Sequence, residues 1–230
     1  MPLTPAELEI LGLSVKVALA SALASLPFAL GLAFLLARAE FPGKMLLDGL
    51  VHLPLVLPPV VIGYLLLVAL GRTAPLGAFL ADHLGIVFAF RWTGAALASA
   101  LMGLPLAVRA MRQAVESVDR RLEAAAATLG APPIAVFATV TLPLVMPGVL
   151  NGMLLAFARS LGEFGATITF VSNIPGETQT LPLAIYSLTQ MPGGDAQAMR
   201  LCMLAILLSL GALMVSEILL RRARRRARGA

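Results

Sequence analysis

The 230 residues are 59% apolar and only 13% charged, and their apolar stretches are too long and too numerous for one water-soluble core. The net charge of +5 is local: six of the last ten residues are arginine, and the other 11 basic residues face 12 acidic ones. A basic run just past an apolar helix marks a flank beside anionic lipid, which argues against a nucleic-acid partner.

A helix needs about 20 mostly apolar residues to cross roughly 30 Å of hydrocarbon. On that measure the chain is an all-helical, polytopic membrane domain over 1–230, with five spans at 11–37, 46–70, 92–111, 142–171 and 201–220. Glu7 and Glu9 precede the first span and no basic n-region does, so that span is expected to stay in the mature protein. Lys16, near its start, is placed to snorkel to the interface. Pro27 lies in the first span, Pro54, Pro58 and Pro59 in the second and Pro105 in the third. In lipid such positions survive only where neighbouring helices or water re-satisfy the freed carbonyls.

The loop 71–91 has the composition of a short amphipathic element, and Trp92 after it is an interfacial anchor for the third span. The long central loop 112–141 follows. Within it, Glu123 to Thr128 is alanine-rich and predicts a short helix, which Gly130 can end in the left-handed conformation and Pro132 and Pro133 prevent from continuing. Gly148 and Gly152 in the fourth span are spaced for close approach of two helix backbones. Pro175, Gly176, Pro182, Pro192, Gly193 and Gly194 punctuate 172–199, yet 181–188 is apolar enough to dip back toward the membrane. Cys202, the lone cysteine, can form no internal disulfide and fits as a small hydrophobe. The arginine-rich tail 221–230 closes the chain.

The positive-inside rule orients these spans. With the C-terminus in the cytoplasm, Arg38, Lys44, Arg109, Arg112, Arg120, Arg121 and the six tail arginines fall inside. Lys16, Arg72, Arg91 and Arg200 fall outside, and Arg159 lies within a span. The expected topology is a multi-pass protein with its N-terminus outside.

Catalytic chemistry finds no footing. No Gly-rich loop ends in Lys-Ser or Lys-Thr to cradle phosphate, no His-Glu-x-x-His helix offers a metal site, and Ser160 has no nearby histidine to activate it. No catalytic residue, metal ligand or bound cofactor is therefore expected, and His52 reads as a packed or interfacial residue.

Glu123, Ala124 and Ala125, then Gly130 and Ala131, then Leu142 and Pro143 together resemble the coupling-loop signature of bacterial ABC importer permeases. The resemblance implies that this loop docks in a cleft of a separate cytoplasmic ATPase. It also implies that ATP and magnesium are bound by that partner. Glu123 stands one residue further from Gly130 than in the general signature, which on a helix turns its carboxylate by about 100°.

A second stretch, Arg159 to Phe170 continued by Asn173 to Glu177, Thr180 to Tyr186 and Pro192 to Gly194, is similar to permeases for tetrahedral oxyanions, most of all the molybdate branch. Sulfate, thiosulfate and tungstate carriers are the near alternatives. A secondary transporter or channel is the distant one, and it would carry its own coupling-ion site and have no use for the central loop. The resemblance implies the ABC importer type I permease fold in the bacterial inner membrane. It also implies a homodimer with two ATPase subunits beneath and a periplasmic or lipid-anchored binding protein above. Arg159, Ser160, Glu163, Phe164 and Thr167 are the candidate pathway residues. An intramembrane ionisable group is a functional hypothesis by default. Arg159 and Glu163, four apart, can also simply pair on one helix face to fix packing. Both readings stand at this point.

Overall fold

A computed structural model describes residues 3–228, except the side chains of Ser216, Leu219 and 223–228. The expected basic tail therefore lies largely outside the described side chains. Helix α1 (Pro5–Arg38) starts with a capping box. Glu7 N donates to Thr4 Oγ1 at 3.3 Å and Thr4 N donates to Glu7 Oε2 at 2.8 Å, with Pro5 at the first helical position. Apart from Val17 and Leu36, its buried stripe is made of small residues, Ser14, Ala18, Ser21, Ala22, Ser25, Ala29 and Ala33. Small side chains let backbones approach closely, the main source of helix attraction in lipid. The serines return their hydroxyls to their own helix, as Ser21 does to Ala18 O at 3.0 Å and Ser25 to Ala22 O at 3.1 Å.

The second expected span is not one helix. It divides into α2 (Lys44–His52), a 3₁₀ turn (Leu53–Leu55) and α3 (Pro59–Leu70), bent by 107°. The prolines explain the break: Pro58 sits at ψ 132° because a residue before proline is excluded from the helical region, and Pro59 has no N–H to continue a ladder. The loop after it holds α4 (Pro75–Leu84), where a short element is expected. Helix α5 (Trp92–Glu116) keeps Pro105 within it and runs past the expected end at Met111. Lys16 Nζ stands 3.7 Å from the centre of the Trp92 ring, joining the starts of α1 and α5 by a cation–π contact.

The central loop is structured throughout. It contains α6 (Arg120–Thr128), one turn of α7 (Pro133–Val136) and a π-helical turn (Phe137–Thr141) that leads into α8 (Leu142–Leu161). Pro143 cannot donate to the carbonyl four residues before it, and a widened turn accommodates that loss, with Leu142 N bonding Phe137 O. Helix α8 packs antiparallel on α5 through glycines. A Cβ on Gly103 would lie 3.2 Å from Ala156 Cα, and one on Gly152 would lie 2.9 Å from Ala107 O.

The fourth expected span also ends early. Helix α8 stops at Leu161, and α9 (Gly165–Val171) is a separate helix packed on α3, where a Cβ on Gly63 would lie 2.9 Å from Ala166 Cα. After a turn at Ile174–Thr180, α10 (Leu181–Thr189) buries Leu181, Leu183 and Ala184, so the apolar 181–188 stretch does turn back into the bundle. Ser14 Oγ accepts from Leu181 N at 2.8 Å and fixes the start of α10 on α1. The last helix, α11 (Asp195–Arg228), packs on α8 and α10. Cys202 is half-buried and unpaired with another cysteine among the described residues.

Candidate functional site

Two places collect the candidate residues. The first is α6 and its surroundings. Asp119 caps the helix by accepting from Arg121 N at 2.9 Å. Gly130 ends it at φ +85°, with Gly130 N bonding Ala127 O and Ala131 N bonding Ala126 O, the pair of bonds that defines a Schellman ending. A side chain at Gly130 would meet no atom within 4 Å, so glycine is required there by its backbone angle alone. Ala124, Ala125 and Gly130 are exposed and Ala131 half-buried; Leu142 is half-buried and Pro143 exposed. Around them stand Leu122, Leu129 at 88% exposure and Ile134 at 83%, an apolar rim on a rigid small-residue helix. The motif does not include these three residues, although aliphatic side chains beside Gly and Pro in an exposed loop were the signal for them.

Glu123 does not share that surface. Its Oε1 accepts from Arg38 Nη2 at 3.1 Å and from Thr141 Oγ1 at 2.7 Å, facing the spans. Arg38 and Thr141 were not legible as its partners, because contacts across 85 and 18 residues have no spacing rule. A second ionic group lies nearby in sequence: Arg112 reaches Asp48 at 3.2 Å and Glu116 at 2.7 Å, and Asp48 also meets His52 at 3.2 Å. His52 thus packs against the Asp48 carboxylate.

The second place is the break between α8 and α9. Arg159 Nη1 lies 2.7 Å from Glu163 Oε2, but the pair spans the end of one helix and the approach to the next. Glu163 is sealed, at 2% exposure, and its Oε1 accepts from Ala166 N at 2.8 Å, supplying one of the partners that the first turn of α9 lacks. Thr167 is buried and bonds the carbonyl of Phe164 at 2.9 Å. Ser160 is buried. Of the five candidate pathway residues, Arg159 at 27% side-chain exposure and the half-buried Phe164 retain open surface. The Phe164 ring lies 5.1 Å from that of Tyr186, a half-exposed residue of α10 whose place beside this site the sequence pattern does not signal.

Residues 17–228 match the family described as the inner membrane component of binding-protein-dependent transport systems. The chain belongs to that family. This inner membrane component is 58% identical over 227 residues to the molybdenum transport system permease protein ModB of Escherichia coli (strain K12), with 99% of each chain covered. It is 58% identical over 216 residues to the ModB protein of Haemophilus influenzae, covering 94% of each. Its fold matches a bacterial ABC transporter involved in the import of the acidic polysaccharide alginate, with a TM-score of 0.75 at 16% identity over 96% of this chain and 80% of that one. An all-helical, multi-pass inner-membrane transport subunit follows from these matches.

Proposed function

We propose that this chain is the permease subunit of an ATP-driven importer of molybdate, working as a homodimer between two ATPase subunits and an oxyanion-binding protein. The observation that carries the substrate is the 58% identity, over essentially the whole chain, to proteins named as molybdenum permeases. Sulfate, thiosulfate and tungstate, tetrahedral dianions like molybdate, are the competing substrates. The basic residues support a cytoplasmic placement of the α6 end, the N-terminus lying outside.

In this reading α6 enters a cleft of the ATPase. Ala124, Ala125, Gly130 and Ala131 permit close contact, and Leu122, Leu129 and Ile134 bury apolar surface around them. ATP binding draws the ATPases together, the two α6 helices move with them, and the pathway between the two permeases opens outward to receive the anion. Hydrolysis resets it. ATP and magnesium act on the partner, so this chain performs no hydrolysis. The Arg159–Glu163 pair serves chiefly to fasten α9 to α8, leaving Arg159 one partly open edge toward a passing dianion.

Co-purification tests the assembly. A tagged chain extracted in mild detergent from its native membrane is expected to bring down an ATPase in equal proportion, together with a second copy of itself. Recovery of the chain alone, under conditions where its fold is retained, contradicts the reading.

A further inference from the structure

The coupling helix meets the spans through few polar side chains. Among the described residues, the side-chain hydrogen bonds from α6 to a spanning helix or its foot all end on Glu123 Oε1, from Arg38 at 3.1 Å and Thr141 at 2.7 Å. The other side-chain bonds at α6, from Thr128 Oγ1 to Ala125 O and from Arg121 N to Asp119 Oδ1, stay within the helix and its cap. Glu123 and Arg38 are about three-quarters buried, whereas Leu122 and Leu129 on either side are open. The one-residue offset of Glu123 in its motif thus has a structural counterpart: the carboxylate faces inward.

Its partners occupy mechanically telling places. Arg38 is the last residue of α1, and Thr141 the last of the π turn at the foot of α8. A π turn has a less regular ladder than the α-helix on either side and tolerates rearrangement. Phe34 of α1 and Phe137 of the π turn close the same triangle with ring centroids 5.4 Å apart. The far end of α8 carries Arg159, and through Glu163 the start of α9.

We propose that Glu123 is a positioning residue that transmits movement of α6 to α1 and α8, and not a contact with the ATPase. The proposal rests on the reading of α6 as the ATPase-docking element. A carboxylate held by a guanidinium and a hydroxyl makes charge-assisted bonds, stronger than the neutral contacts around it. Displacing α6 therefore pulls on the end of α1 and the foot of α8 together, and the π turn is where α8 yields.

The test uses the whole complex in liposomes, measuring molybdate uptake and ATP hydrolysis in the same sample. The parent is compared with Arg38→Gln, Glu123→Gln, Thr141→Val and the charge-exchanged pair Arg38→Glu with Glu123→Arg. Each Gln variant is expected to lower the molybdate moved per ATP hydrolysed by roughly fivefold or more, while the ATPase still co-purifies. Thr141→Val keeps both charges, so it stays folded and readable, and lowers the ratio by about twofold. The exchanged pair returns the ratio to within about twofold of the parent. An unchanged ratio in both Gln variants overturns the proposal. So does loss of the ATPase from Glu123→Gln but not from Arg38→Gln, because Glu123 would then be a partner contact. A parent chain that brings down no ATPase is a separate result, and it removes the reading of α6 itself.

Discussion

Glu163 is a carboxylate closed off from solvent, held on one side by Arg159 and on the other by the Ala166 N–H. Removing one member of such a pair leaves a charge without its counterion in a low-dielectric setting, at a cost of about 3 kcal/mol. Arg159→Gln and Glu163→Gln are each expected to lower the yield of assembled complex. The double variant is expected to recover most of it, since the amide that replaces the Glu163 carboxylate still offers an oxygen to Ala166 N. Molybdate uptake per assembled complex should be near normal in the double variant. Poor uptake there, with assembly restored, would mean that the cation draws the anion through the pathway. The pairing itself was legible, because residues four apart in an apolar run have few other partners. The capping of α9 was not, since the helix break it serves depends on Gly162 leaving the ladder and on α9 packing against α3.

At the scale of elements, helix content and approximate positions follow directly from apolar run length, whereas the breaks do not. A window of hydropathy cannot tell a straight span from α2 and α3 at 107°, because the two together are as long and apolar as one span. Pro58–Pro59 marked the first break physically, and Glu163 after Gly162 the second. The small-residue spacing at Gly148 and Gly152 carried more information. Gly152 faces Ala107 O and Met111 across the α5–α8 seam, while Gly211 of α11 has nothing within 4 Å of its would-be Cβ. Gly152→Ala is expected to cost about 2 kcal/mol by forcing the helices apart, and Gly211→Ala to cost nothing or to stabilise its helix slightly. Thermal unfolding of the detergent-solubilised protein separates them, with a drop of roughly 5 °C for Gly152→Ala alone. Equal behaviour of the two variants would mean that the seam is not close-packed.

At the scale of the molecule, α6 carries an open apolar rim and turns its one carboxylate back to the spans. The short exposed helix ended at Gly130 was readable as a motif. The joint was not, because it depends on three residues, Arg38, Glu123 and Thr141, that only the folded bundle brings together. The central claim is that this chain forms the path by which ATP hydrolysis moves molybdate inward. Labelled molybdate uptake into liposomes holding the permease, its ATPase and its binding protein tests that most directly, with sulfate and tungstate as competitors. The expected result is accumulation that requires enclosed ATP and the loaded binding protein, is blocked by excess tungstate and is little affected by equal sulfate. Uptake that proceeds without ATP, or that sulfate suppresses as well as unlabelled molybdate does, would contradict it.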